Sequence, residues 1–186
     1  MKGFKKDLLI IFALVLLVAV LILGTDIQSV DEYYLTHIDD IGPDSETVTL
    51  SIRCDTVLSH MDKLDAALKE GDYIPKDGVI FAETRLVLRE GDTVFDILSR
   101  ATRYYRIQME YQGADETALG TVYVEGLANL YQFSCGEGSG WIFFVNGKRP
   151  VEGASHCKLR DGDRIEWIYT CEFGADLPDY DQGVVK

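Results

Sequence analysis

Basic residues are scarce in this chain of 186: 18 Lys and Arg stand against 31 Asp and Glu, and only three histidines and four cysteines occur. A protein that grips nucleic acid needs Lys and Arg to displace counterions from phosphates, so the charge balance excludes that class. It also disfavours lying flat on an anionic lipid surface. The cysteines, Cys54, Cys135, Cys157 and Cys171, stand singly with no CxxC pair. With histidines only at His37, His60 and His156 they do not make the close group of four ligands that zinc wants. No linker or low-complexity stretch divides residues 45–175, and the length suits one domain of ordinary size plus an appendage rather than two domains.

What is present in excess is one apolar run, residues 8–23, LLIIFALVLLVAVLIL. Residues 8–25 carry no charge, and as a helix they would reach roughly 27 Å, close to the hydrocarbon thickness of a bilayer. The run is longer than the h-region of a secretory signal, and Leu21, Leu23 and Gly24 do not offer a small-x-small cleavage site. No cysteine precedes Cys54, so the segment is not a lipoprotein signal. We read residues 8–25 as a transmembrane signal-anchor, with residues 1–7 as a basic cytoplasmic tip and residues 26–44 as a stalk. The lysines Lys2, Lys5 and Lys6 place the N-terminus in the cytoplasm and residues beyond Thr25 outside the membrane. Only those three basic residues and Asp7 precede Thr25, leaving 15 basic and 30 acidic residues on the exported side. Four cysteines, all beyond the span, fit an oxidising compartment and two disulfides.

Val48, Leu50, Ile52 and Cys54 alternate with polar residues and predict a half-buried strand, as do Ile165, Trp167, Tyr169 and Cys171. If these first and last strands lie side by side and parallel, their cysteine-bearing ends meet. This reading favours Cys54 with Cys171, and hence Cys135 with Cys157. Val57, Met61, Leu64 and Leu68 predict a helix over residues 55–70 capped by Gly71. Short strand-like runs broken at Glu83 and Thr84 follow. A second helix begins at the capping pair Thr93 and Asp96 and ends near Tyr105. Short strands are expected at 107–111, 122–124, 131–135 and 141–145. The last runs into Asn146-Gly147, the dipeptide that accepts the positive φ angles of a tight hairpin. LREGD at 88–92 and LRDGD at 159–163 predict one turn used twice, once before a helix and once before a strand. The class expected is α+β: a β-grasp-like mixed sheet with one principal helix and an additional short helix, preceded by the single N-terminal transmembrane helix. Residues 176–186, acidic and carrying Gly183, are expected to form a flexible tail.

Gly140-Trp141 running into Val145-Asn146-Gly147, LRDGDRIEW at 159–167 and Tyr169-Thr170-Cys171 resemble the domain of unknown function called transcobalamin C-terminal-like. CDTVL at 54–58, PKDG at 75–78 and EGDTVFD at 90–96 are similar to its exported bacterial members. The likeness runs in order over roughly residues 48–176. It implies a β-grasp related to soluble-ligand-binding modules, of which the transcobalamin domain covers one side of a bound corrinoid. The large helical barrel that supplies the other side in the vitamin carriers has no counterpart here. Similar members carry a cysteine nearer Ala154 than Cys157, which weighs against the Cys135 and Cys157 pairing more than against the other.

Tyr169-Thr170-Cys171 at a strand end superficially resembles a sortase lead-in, but no arginine follows Cys171 and the histidines occupy no recognisable strand position. His156 and Cys157, as chain neighbours, point apart. Asp161, Asp163, Asp176, Asp179 and Asp181 match no complete calcium loop and read as turn and tail carboxylates. Trp141, Phe143 and Phe144 leave one aromatic face of the last hairpin to be covered. With Asn146 and Gly147 at its tip they are the candidate ligand-binding residues. The functional expectation is a membrane-anchored, extracytoplasmic, non-catalytic binding module without a cofactor. Its ligand would be a corrinoid such as cobalamin shared with another chain or, alternatively, an envelope protein or glycan.

Overall fold

A computed structural model describes residues 11–20, 29, 33, 37–71, 73–177 and 180. Contacts divide the chain into two units, residues 1–33 and 34–186. In the first, residues 11–20 are helical. Among the described residues no helix is long and apolar enough to cross a membrane, and the rest of the expected span over 8–25 lies outside them.

The second unit is a mixed α+β domain. Its main sheet has the order β2-β1-β7-β6, formed by β1 (Thr47–Arg53), β2 (Val79–Val87), β6 (Gly140–Val145) and β7 (Arg164–Thr170). β1 and β7 are parallel neighbours, as their alternation predicts, with Leu50 opposite Ile165 and Ile52 opposite Trp167. β2 and β6 flank them antiparallel. The interruption at Glu83 and Thr84 does not end β2. Leu50 faces Thr84, Ile52 faces Phe81 and Arg53 faces Val79, so β2 absorbs two extra residues at successive register shifts and continues. A smaller antiparallel sheet follows the order β3 (Met109–Gln112), β4 (Tyr123–Leu127), β5 (Leu130–Tyr131).

One long helix, α2 (Val94–Tyr105), puts Val94, Ile97, Leu98 and Ala101 into the core with Val48, Leu50, Ile52, Ile165 and Tyr169. Its capping box forms as the sequence predicts. The Thr93 amide donates to Asp96 Oδ2 (2.8 Å) and the Asp96 amide to Thr93 Oγ1 (3.2 Å). Thr93→Ala is therefore expected to cost about 1 kcal/mol, read as a lowered urea midpoint at unchanged slope. A loss below a few tenths would show that the box contributes nothing.

Residues 55–70 do not make the single helix expected. A 3-10 turn (Asp55–Ser59) and the short α1 (Ala66–Glu70) replace it. The Asp65 amide donates to the Ser134 carbonyl (2.9 Å) instead of continuing a helical ladder, and Met61 faces solvent while Leu64 is buried. Gly71 has φ −82°, so it is no left-handed cap.

The two LR(E/D)GD segments make one turn twice. The Arg89 amide donates to Asp92 Oδ2 (2.8 Å) and the Arg160 amide to Asp163 Oδ2 (2.7 Å). The glycines take nearly equal positive angles, 80° at Gly91 and 82° at Gly162. The first turn is also the anchor of a buried ion pair. Arg100 NH1 and NH2 donate to Asp92 Oδ1 and Oδ2 at 2.9 and 2.5 Å.

β7 is buried on both faces, which explains why Ile168 interrupts its polar side. Ile168 and Phe144 form a second, small apolar cluster with Leu177. Tyr180 stacks on Phe144 with ring centres 4.4 Å apart and donates its hydroxyl to Glu166 Oε1 (2.7 Å). Leu177 and Tyr180, in the segment expected to be flexible, thus pack on the outer face of the sheet. Residues 178–179 and 181–186 lie outside the described residues.

Candidate functional site

At the end of β6 the chain turns back at Asn146-Gly147, where Val145 pairs with Lys148 and φ is 54° and 75°, the pair of positive angles that a tight two-residue turn requires. Asn146 locks the turn. Its Oδ1 accepts from the Arg164 amide (2.9 Å) and its Nδ2 donates to Asp163 Oδ1 (2.8 Å). Strand alternation then sends Trp141 and Phe143 to one face of β6 and Ile142 and Phe144 to the other. Trp141 packs edge-on against Tyr169 (5.3 Å between ring centres) and donates from Nε1 to the Leu130 carbonyl (2.8 Å). Phe143 lies against Trp167 at 5.2 Å.

The rings of Trp141, Phe143 and Trp167 line an apolar cleft of about 540 Å³. Its other walls are the segment leading into β4 and residues 149–154. Two apolar side chains on those walls stand in solvent, Leu119 at 85% and Val151 at 103% exposure. Ser155 ties the walls together: its Oγ lies 2.9 Å from Thr121 Oγ1 and accepts from the Val122 amide (3.0 Å). Their approach needs a glycine at 153, where a Cβ would come within 2.0 Å of Thr121 Oγ1. Trp167 Nε1 is buried with no acceptor, one of two such side-chain atoms among the described residues; the other is Glu166 Oε2. Arg164 NH2 stands 3.1 Å from Glu166 Oε2 without the alignment of a hydrogen bond.

Of the five expected ligand residues, Trp141 and Phe143 therefore line the cleft. The other three do not. Phe144 faces the opposite side against Tyr180, Asn146 is consumed in the turn, and Gly147 borders a separate polar depression of about 270 Å³ with Arg53, Asp55 and Arg164. The sequence reading missed Trp167, Leu119 and Val151. The available signal was two isolated apolar residues, Leu119 and Val151, inside otherwise polar Gly- and Pro-bearing loops.

The cysteines depart from both expected pairings. All four are free, buried thiols. The parallel register sets Arg53 opposite Ile168, which carries Cys54 to the level of Tyr169 and leaves Cys171 beyond it. Cys171 instead lies near Cys135: Cys135 Sγ reaches the His60 carbonyl (3.5 Å) and Cys171 Sγ the Thr56 hydroxyl (4.0 Å), and each thiol bears on the other's ionisation. Cys157 belongs to the other end of the core, where its carbonyl accepts from the Val94 amide (3.0 Å) at the start of α2. Burial pushes the Cys54 thiol up to about 12, with Asp55 and Asp77 adding to the effect. Burial likewise raises Cys135 and Cys157, and raises Cys171 further with help from the Cys135 thiol. None is poised as a thiolate near neutral pH.

His60, Cys171 and Asp176 bring ligand-type atoms within 4.8 Å of one another, the one such group among the described residues. Each polar group there already has a partner. The His60 ring meets the Thr56 carbonyl (2.9 Å) and Glu172 Oε1 (3.2 Å), and the Asp176 carboxylate accepts from the Thr170 hydroxyl and the Cys171 amide. Asp161 and Asp163 are likewise engaged by backbone amides, as turn carboxylates should be.

By class, this is a mixed α+β domain bearing an aromatic-lined apolar cleft. Residues 91–170 match the family described as Domain of unknown function (DUF4430), inside the stretch that carries the resemblance drawn from the sequence. No curated protein matches the chain. Among solved structures, haptocorrin in complex with Cbi aligns with 72% of this chain at 12% identity and a TM-score of 0.47; the chain spans 27% of that protein. A candidate metal binding protein from Ruminococcus gnavus ATCC 29149 aligns with 67% of this chain and 96% of its own at 10% identity and a TM-score of 0.39.

Proposed function

We propose that this protein is a non-catalytic ligand-binding module, a transcobalamin-like β-grasp held outside the cytoplasm by residues 8–25, whose cleft takes the flat apolar side of a corrinoid-like ligand. The observation that carries this reading is the aromatic-lined cleft of about 540 Å³. That volume suits a small-molecule site but does not enclose a macrocycle, so a second chain would cover the ligand's other side. The buried, protonated thiols support a role without nucleophilic chemistry.

Both tryptophans of the chain, Trp141 and Trp167, line the cleft, so intrinsic fluorescence reports on it directly. Titration with cobalamin or cobinamide is expected to quench that emission saturably. Leu119→Asp and Val151→Asp are each expected to weaken binding at least about 10-fold through charge placed on the apolar rim, with thermal midpoints within about 2 °C of wild type. Absence of saturable quenching at high micromolar ligand would overturn a self-sufficient site. Retention of the full chain in the membrane fraction after carbonate washing tests the anchor separately.

A further inference from the structure

The turn after β5 and the end of β7 meet at a place the aromatic cleft does not use. The Phe173 amide donates to the Gly138 carbonyl (2.8 Å). Ser139 Oγ accepts from the Cys135 amide (3.0 Å) and lies 2.9 Å from the Tyr169 hydroxyl. These bonds bring Cys135 and Cys171, both buried at 0% and 4% exposure, to the same short segment, Thr56 to His60, where the His60 ring meets the Thr56 carbonyl (2.9 Å), and there each thiol bears on the other's ionisation. Neither sulfur has a better partner. Cys135 Sγ is 3.5 Å from the His60 carbonyl and Cys171 Sγ is 4.0 Å from Thr56 Oγ1. Among the described residues no second thiol stands beside Cys54 or Cys157 in this way.

A second observation points to the same place. Phe133 and Phe173 both hold positive φ, 68° and 54°, in a region that bulky side chains rarely adopt, and both are largely exposed. They border a groove of about 430 Å³ that passes Gly140 and Trp141. Such backbone persists only where the surroundings over-determine it.

We propose that Cys135 and Cys171 are partners in a disulfide that ties the β5–β6 loop to the end of β7 and holds this pair of aromatic loops. The bond forms by thiol–disulfide exchange with a disulfide oxidant, either an oxidoreductase or oxidised glutathione. One cysteine thiolate attacks the oxidant's disulfide to give a mixed disulfide and releases one oxidant thiolate. The other cysteine thiolate then attacks the protein sulfur of the mixed disulfide and releases the second. The protein loses two electrons and two protons, and the oxidant leaves as two thiols. Because both sulfurs are buried in the finished fold, exchange precedes closure of the domain. In the cell the oxidant is met outside the cytoplasm, which rests on the placement proposed above; the chemistry itself is tested in glutathione buffer without that assumption.

The full chain, reduced and unfolded, is refolded in reduced and oxidised glutathione, then alkylated in denaturant and mapped by mass spectrometry. The expected product carries a Cys135–Cys171 cross-linked peptide with Cys54 and Cys157 alkylated. The bond closes a loop of roughly 36 residues, so dithiothreitol should lower the midpoint of thermal unfolding by about 10 °C. The double variant Cys135→Ala with Cys171→Ala should show no response to dithiothreitol. Four alkylated cysteines would overturn the proposal, as would a Cys54–Cys171 or Cys135–Cys157 peptide. Four alkylated cysteines with one zinc retained would assign His60, Cys171 and Asp176 to a metal instead.

Discussion

Trp141→Ala is expected to destabilise the domain by about 4 kcal/mol, seen as a fall of roughly 2 M in the urea midpoint. Trp141 is 7% exposed and belongs to the main core while its ring also lines the cleft. Truncation removes its packing against Tyr169 and leaves a cavity beside the existing cleft. It also strips the buried Leu130 carbonyl of the 2.8 Å bond from Nε1. An orphaned buried acceptor adds its own desolvation cost of about 1–3 kcal/mol, part of which the total already contains. Trp141→Phe separates the two contributions, because it keeps most of the apolar area and loses only the donor. That variant should sit about 1–2 kcal/mol below wild type. A loss under 1 kcal/mol for the alanine variant would mean that the ring is not part of the core, and the cleft would then lack a rigid wall.

Asp92→Asn should cost about 3 kcal/mol at neutral pH, since it leaves the guanidinium of Arg100 buried without its counter-charge. Both side chains are nearly buried, at 9% and 12% exposure, and are joined by two hydrogen bonds. Replacing both partners, as in Asp92→Asn with Arg100→Met, should recover much of the loss, because the uncompensated charge goes with the pair. The pH dependence has a definite sign. Burial works against ionisation of Asp92, but the Arg100 and Arg89 hydrogen bonds and charges outweigh it and hold its carboxyl below the ordinary value of 3.8. Its ionised form is therefore favoured by the fold. The stability it contributes is fully present above the unfolded value and is lost as pH falls through the lower, folded one. The gap between wild type and Asp92→Asn should accordingly narrow below about pH 4. A gap that stays constant down to pH 2 would refute this role for the carboxylate.

Local chemistry in the chain was enough for several features. Asn146-Gly147 specifies its hairpin because both residues accept positive φ. Thr93 and Asp96 specify the start of α2 because their side chains reach each other's amides within one turn. The LR(E/D)GD segments specify one turn twice because glycine accepts φ near 80° and the following aspartate caps the arginine amide. Each is settled by residues no more than three apart. The parallel pairing of β1 and β7 was also legible, since both strands alternate and end alike, but alternation gives a face and not a stagger.

Only the tertiary structure decided what depends on stagger and on distant walls. The register that carries Cys54 to the level of Tyr169 separates it from Cys171 and brings Cys171 to Cys135 instead. The Asp65 amide ends the expected helix over 55–70 by finding the Ser134 carbonyl, a partner 69 residues away. Ile168 is apolar where the strand's alternation calls for a polar residue, and it is Leu177 and Tyr180 that cover it on the outer face. The cleft joins strand residues to loops at 116–124 and 149–154 whose approach turns on the absence of one Cβ at Gly153. A one-residue slip in a strand, or one added Cβ, alters such contacts while leaving local propensities almost unchanged. That is why the chain by itself specified its turns, its helix start and its strand faces, whereas the packed fold chose the partners of its cysteines and the walls of its site.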